Sequence, residues 1–114
     1  MASPEPHDER RAAVRARTLL RGRICHGPHF VMSADCQIRN MSTDGALLQI
    51  AELQAIPPAF VLVNVSAGVA YETRLVWRHG RLAGVRLGAR HDLHAPLEGE
   101  MKPLRNIWMA LAGS

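Results

Sequence analysis

The chain has 114 residues, enough for one core and too few for two domains. With 47% apolar and 21% charged residues it has the balance of an ordinary globular protein, and no apolar run approaches the length of a membrane span. Fourteen Lys and Arg against ten Asp and Glu leave a net charge of +4, and all but one of the basic side chains are Arg. Arg forks onto phosphate and onto the guanine edge, so an anionic partner is favoured, although a high-GC genome produces the same bias.

Residues 1–9 carry Pro4, Pro6 and several charged groups with almost nothing to bury, so they are expected to form a flexible tail. The N-terminus from Met1 to Arg17 is polar and charged and lacks the apolar segment of a signal peptide, which points to a cytoplasmic protein. Residues 10–16 are rich in Arg and Ala and suit either a nascent helical turn or an extended arm. From 17 to 25, Thr18, Leu20, Gly22 and Ile24 alternate with Arg17, Leu19, Arg21 and Arg23, the pattern of a first strand with a basic outer face. Residues 26–29 form a turn.

A second strand is expected over 30–39, with Ala34, Cys36 and Ile38 on one face. The cluster Asn40-Met41-Ser42-Thr43-Asp44-Gly45 is a turn, because Asn, Ser, Asp and Gly bend the backbone and hydrogen-bond to it locally. A third strand over 45–51 places Ala46, Leu48 and Ile50 together. Pro57-Pro58 ends the next loop, since proline cannot sit in a central strand. Residues 60–65 form a fourth, uniformly apolar strand.

After a turn at 66–68, a fifth strand over 69–78 is expected to face Tyr71, Thr73, Leu75 and Trp77 inward, with Glu72, Arg74 and Arg78 outward. A tight turn at His79-Gly80 leads to a sixth strand over 82–87. Six short strands with polar turns imply a small antiparallel barrel or sandwich. The tail changes period: Leu104, Ile107, Trp108 and Leu111 fall at i, i+3, i+4 and i+7 behind Pro103, an apolar stripe on a short C-terminal helix. Such a stripe either packs on its own barrel or offers a partner surface.

Two features carry chemistry. Arg11 and Arg15 form R-x-x-x-R, with Arg10 directly before them, and Asn40, Ser42 and Gly45 form N-x-S-x-x-G. In this order, with residues 16–39 between them, the two motifs resemble the PilZ domain, a bacterial receptor module for cyclic di-GMP. The resemblance covers roughly residues 9–88. It implies an all-β fold: a six-stranded antiparallel PilZ-type barrel with a short C-terminal α-helix and a flexible N-terminal arm. The chain is then organised as a tail over 1–9, a barrel domain with its arginine arm over 10–89, a connecting loop over 90–102 and a helix over 103–112.

Cyclic di-GMP presents two phosphates and two guanines. A receptor therefore needs fixed cations, a donor fork for guanine and a backbone that lets the base approach. By the resemblance, Arg11 and Arg15 contact phosphate and guanine from just ahead of the barrel. Asn40, Ser42 and Gly45 line the barrel surface around one guanine, with Gly45 permitting close approach without a Cβ. Arg10 is associated with a stacked, intercalated ligand dimer. The implied function is to bind cyclic di-GMP, in bacterial second-messenger signalling such as control of motility or biofilm, and to relay it to a downstream protein by ordering the N-terminal arm.

No enzyme is expected, because no Ser-His-Asp or Cys-His context, phosphate-cradling loop or placed acid pair stands out. No cofactor or metal is expected either: Cys25, His26, His29 and Cys36 do not follow the spacing of paired zinc ligands. The alternative is a PilZ-like protein-interaction adaptor that does not bind nucleotide. A barrel for single-stranded nucleic acid would want several exposed aromatics, and the chain has only two Trp, one Tyr and two Phe.

Overall fold

The computed structural model describes residues 16–113, with side chains from Leu19 onward. Six strands, β1 (Ala16–His26), β2 (Met32–Met41), β3 (Gly45–Gln49), β4 (Ala59–Asn64), β5 (Val69–His79) and β6 (Leu82–Asp92), precede one helix, α1 (Pro103–Ala112). Short 3-10 turns occupy Pro28–Phe30 and Gly99–Met101. Every pairing is antiparallel, in the lateral order β1-β2-β3-β6-β5-β4, and β4 returns to β1. The sheet is therefore a closed barrel rather than a sandwich, with its edge N–H and C=O groups paired. Among the described residues no helix is long and apolar enough to cross a membrane.

The alternation in the sequence fills two separate cores. Inside the barrel lie Ile24, Cys36, Ile38, Leu48, Phe60, Leu62, Val85 and Leu87, with Met41, Tyr71 and Leu75 packed against them. Outside it, Cys25, Val61, Val63, Val65 and Ala70 form an apolar strip covered by Leu93, Leu104, Ile107, Trp108 and Leu111. This explains why β4 is apolar at nearly every position: one face lines the barrel and the other receives the C-terminal segment, so five of its six residues are buried.

The stripe on α1 thus packs on its own barrel. Leu104 is fully buried, and the Trp108 indole N–H donates to the Val65 carbonyl at 2.9 Å. Arg21 on β1 donates to the Leu111 carbonyl at 3.0 Å, satisfying one of the carbonyls left open at the helix end. Gly68 makes room for this packing. Its φ is +70°, and a Cβ there would overlap His94 and Trp108.

Four expectations need correction. Strand β6 continues to Asp92 instead of ending at Leu87, because Ala70 and Tyr71 go on pairing with His91 and Arg90. Phe30 sits in a 3-10 turn with φ 57° and packs into the outer core, so β2 starts only at Met32. Trp77 faces outward and Arg78 turns toward the loop at the barrel end, the reverse of the expected phase. The cause is a register shift between Leu75 and Trp77.

Replacing Leu104 with Ala removes the one fully buried side chain of α1, so we expect a loss of about 2–5 kcal/mol in unfolding free energy by urea titration. A loss below about 0.5 kcal/mol, the range of ordinary surface substitutions, would mean that α1 is not held on the barrel.

Candidate functional site

The turn that carries Asn40, Ser42 and Gly45 joins β2 to β3 and is held by its own backbone. The Ser42 N–H donates to the Gly45 carbonyl at 2.8 Å, and the Ser42 hydroxyl approaches the same oxygen at 3.3 Å. The turn is tied to β6 by the Leu87 N–H, which donates to the Asp44 carbonyl at 2.9 Å. Gly45 begins β3 and does not take the left-handed backbone that a turn glycine often needs. Space is what matters there: a Cβ would stand 3.3 Å from the Val85 carbonyl oxygen and 3.8 Å from the Ser42 hydroxyl.

Asn40 is brought to the outer surface by a β-bulge. On β2, Ile38 is opposite Leu48 and Asn40 is opposite Leu47, so two steps on β2 match one step on β3. The extra residue, Arg39, reverses the phase: Ile38 points inward and Asn40, two residues on, points outward beside Leu47. The same device operates on β5. Leu75 is opposite Val85 and Trp77 is opposite Gly84, with Val76 as the extra residue.

The two bulges meet in one lateral row. Arg17 is opposite Asn40, Asn40 opposite Leu47, Leu47 opposite Gly84 and Gly84 opposite Trp77. The indole of Trp77 lies over Gly84, where a Cβ would overlap its nitrogen, and Trp77 remains 45% exposed. Together, Asn40, Ser42, Asp44, Gly45, Trp77 and Gly84 surround an open concavity of about 370 Å³. It offers an amide, a hydroxyl, a carboxylate and an aromatic face. That set can hydrogen-bond and stack a planar heterocycle.

Of the residues expected at the site, Asn40, Ser42 and Gly45 come together in this concavity. Arg10, Arg11 and Arg15 lie outside the described residues. Trp77, which period-two reasoning put in the core, joins the site instead. The signal for it was present: Val76 interrupts the alternation between Arg74 and Arg78, and Gly84 leaves a bare place on the neighbouring strand.

Three other arginines of the barrel wall are taken up within the fold. Arg23 pairs with Asp35 and also reaches the Ser33 hydroxyl at 3.1 Å, and Arg39 bonds the Gln49 side chain. Arg78 holds the loop after β3, donating to the carbonyls of Gln54, Ala51 and Glu52, the last two at 3.1 Å. It belongs to the structure of that loop and not to a basic binding surface.

The cysteines lie on opposite faces of the barrel wall, Cys25 in the outer core and Cys36 in the inner one. Burial pushes the Cys25 thiol up to about 11 against the opposing pull of Arg23, and the Cys36 thiol up to about 12, with Asp35 adding to the rise. Elsewhere, the Asp92 carboxyl is held below its ordinary value by the backbone N–H of His94 at 3.0 Å and by the His94 ring at 2.8 Å. This packing places His94 edge-on to Trp108.

Because burial favours the neutral thiol, both cysteines should resist a thiol reagent at pH 8 and react only with the rate of unfolding. Fast labelling of the native protein would contradict the burial described above. Comparison of the chain with protein-family models, with curated proteins and with solved structures finds no match, so the site's chemistry is the guide to its use.

Proposed function

We propose that this protein is a receptor for cyclic di-GMP that acts by binding and not by catalysis. The observation that carries the reading is the lateral row from Arg17 through Asn40, Leu47 and Gly84 to Trp77. It puts the N-x-S-x-x-G turn, an exposed indole and the entry of the arginine segment on one face. Ala16 is opposite Met41, so the first described residue of β1 stands beside the turn, and Arg15 directly precedes it in the sequence. Arg11 lies five residues from Ala16 and so within about 18 Å of it, at 3.3–3.6 Å per residue.

In this reading one guanine stacks on Trp77, and Asn40 and Ser42 bond its edge or the adjoining phosphate. Arg11 and Arg15 close over the ligand from the arm, supplying cations for phosphate and a fork for guanine O6 and N7. Arg10 holds a second, intercalated nucleotide. The ligand then bridges the arm to the barrel, and the altered surface is what a downstream protein reads. No metal or other cofactor takes part. The alternative, an adaptor that binds no nucleotide, would use the barrel surface or what the half-buried stripe of α1 still exposes.

Calorimetric titration of cyclic di-GMP should give saturable binding to the wild-type protein. Arg15→Ala and Trp77→Ala should each lose roughly tenfold or more, the scale of a charge-assisted hydrogen bond or a stacked ring. Two nucleotides per chain would implicate Arg10. An absence of heat and of any thermal shift would reject the receptor and favour a nucleotide-free adaptor. Limited trypsin digestion provides a separate check: cleavage at Arg10, Arg11 and Arg15 should slow when ligand is added. Unchanged cleavage in a protein that binds would remove arm ordering from the mechanism.

A further inference from the structure

The row adjoining Trp77 holds an unbalanced pair of charges. Gly45 is opposite Arg86, and Arg86 is opposite Arg74. Gly45 and Leu47 are two residues apart on β3, as are Gly84 and Arg86 on β6. At about 3.4 Å per residue this row therefore runs about 7 Å from the one that carries Asn40 and Trp77. Both arginines are exposed, and neither has a hydrogen-bond or ion-pair partner among the described residues. Like charges directly opposite each other across strands are destabilising. Elsewhere on the barrel Arg21, Arg23, Arg39 and Arg78 have partners.

Arg74 and Arg86 line a second concavity, of about 510 Å³, which extends from them toward Phe30 and Met101 and shares no lining residue with the one that holds Gly45 and Trp77. Glu72, which bonds the His91 ring at 2.8 Å, and Glu100 also border it, and neither carboxylate is bonded to Arg74 or Arg86. The two guanidiniums remain free to take an anion. A paired guanidinium fork matches the planar, bidentate geometry of a phosphate.

We infer that Arg74 and Arg86 form a phosphate subsite, receiving the phosphodiester of a nucleotide whose base is stacked on Trp77. The inference rests on the receptor reading and completes it. A cyclic dinucleotide has two phosphodiesters, one met by the arm arginines and the other by this pair on the sheet. The anion neutralises the opposed charges, so ligand relieves a repulsion that the free protein carries.

The test titrates cyclic di-GMP into wild-type protein, Arg86→Gln and Arg74→Gln. In parallel, inorganic pyrophosphate is titrated while the arginine Nε–Hε resonances are followed by NMR. Each variant should bind cyclic di-GMP roughly ten- to a hundredfold more weakly, with less dependence on salt, while its thermal midpoint is unchanged or raised. Pyrophosphate should shift the Arg74 and Arg86 resonances saturably. Wild-type binding that both variants retain in full overturns the subsite and leaves the receptor standing. Pyrophosphate shifts without cyclic di-GMP binding overturn the receptor and keep the anion site. Silence from both ligands overturns both.

Discussion

Two inserted residues govern the outer face of this barrel. Strand side chains alternate with period two, so one extra residue moves everything beyond it to the opposite face. Arg39 is that residue on β2 and Val76 on β5. Beyond them the inward places pass to Met41 and Arg78 and the outward places to Asn40 and Trp77. Each bulge therefore serves both sides at once. Met41 packs on the inner core, and Arg78 donates to the loop after β3, while the polar and aromatic groups reach the surface together. Loss of one bulge would send Asn40 or Trp77 inward and break the row that joins β1 to β5.

The frame around that row is stiff because β4 is shared between two cores. Phe60 and Leu62 close the barrel interior, and Val61 and Val63 accept Leu104 and its neighbours from outside. Burial on both faces stabilises the wall opposite the candidate site. The N-terminal strand is held into the same frame by Arg21, whose bond to Leu111 couples β1 to the end of α1. A segment entering through β1 is thereby referenced to the barrel and to the helix alike.

Much of this was legible in the sequence because it follows from simple periodicity. Ala34, Cys36 and Ile38, then Ala46, Leu48 and Ile50, alternate cleanly and are all buried, the last five of them in the barrel interior. The spacing of Leu104, Ile107, Trp108 and Leu111 matches the side of α1 that is covered. The turn at Asn40–Gly45 was equally visible, since its residues bond to one another locally. The bulges left only faint local marks, Val76 on β5 and Gly84 on β6, because a bulge is a property of two strands in register, and register is set across the sheet. Trp77 therefore looked like a core residue beside Leu75. The far end of β6 was hidden for a related reason: Arg90, His91 and Asp92 are polar, and only their pairing with β5 makes them strand.

The two tryptophans show why the exposed one is best understood as part of a site. Each lies against a glycine, Trp108 against Gly68 and Trp77 against Gly84, and in each case a Cβ would collide with the ring. Trp108 has its indole N–H bonded to Val65 and its face set against His94, so its packing and polarity are both satisfied within the fold. Trp77 has a large exposed face, and its N–H has no partner among the described residues. A core aromatic would hide that face, and a surface position of no consequence would not need a bare glycine beneath the ring. Fixing the indole against Gly84 before anything binds removes much of the ordering cost that a free side chain would bring to a complex. A preset aromatic plane beside Asn40 and Ser42, with unpaired cations one row away, is the arrangement on which the proposed nucleotide site rests.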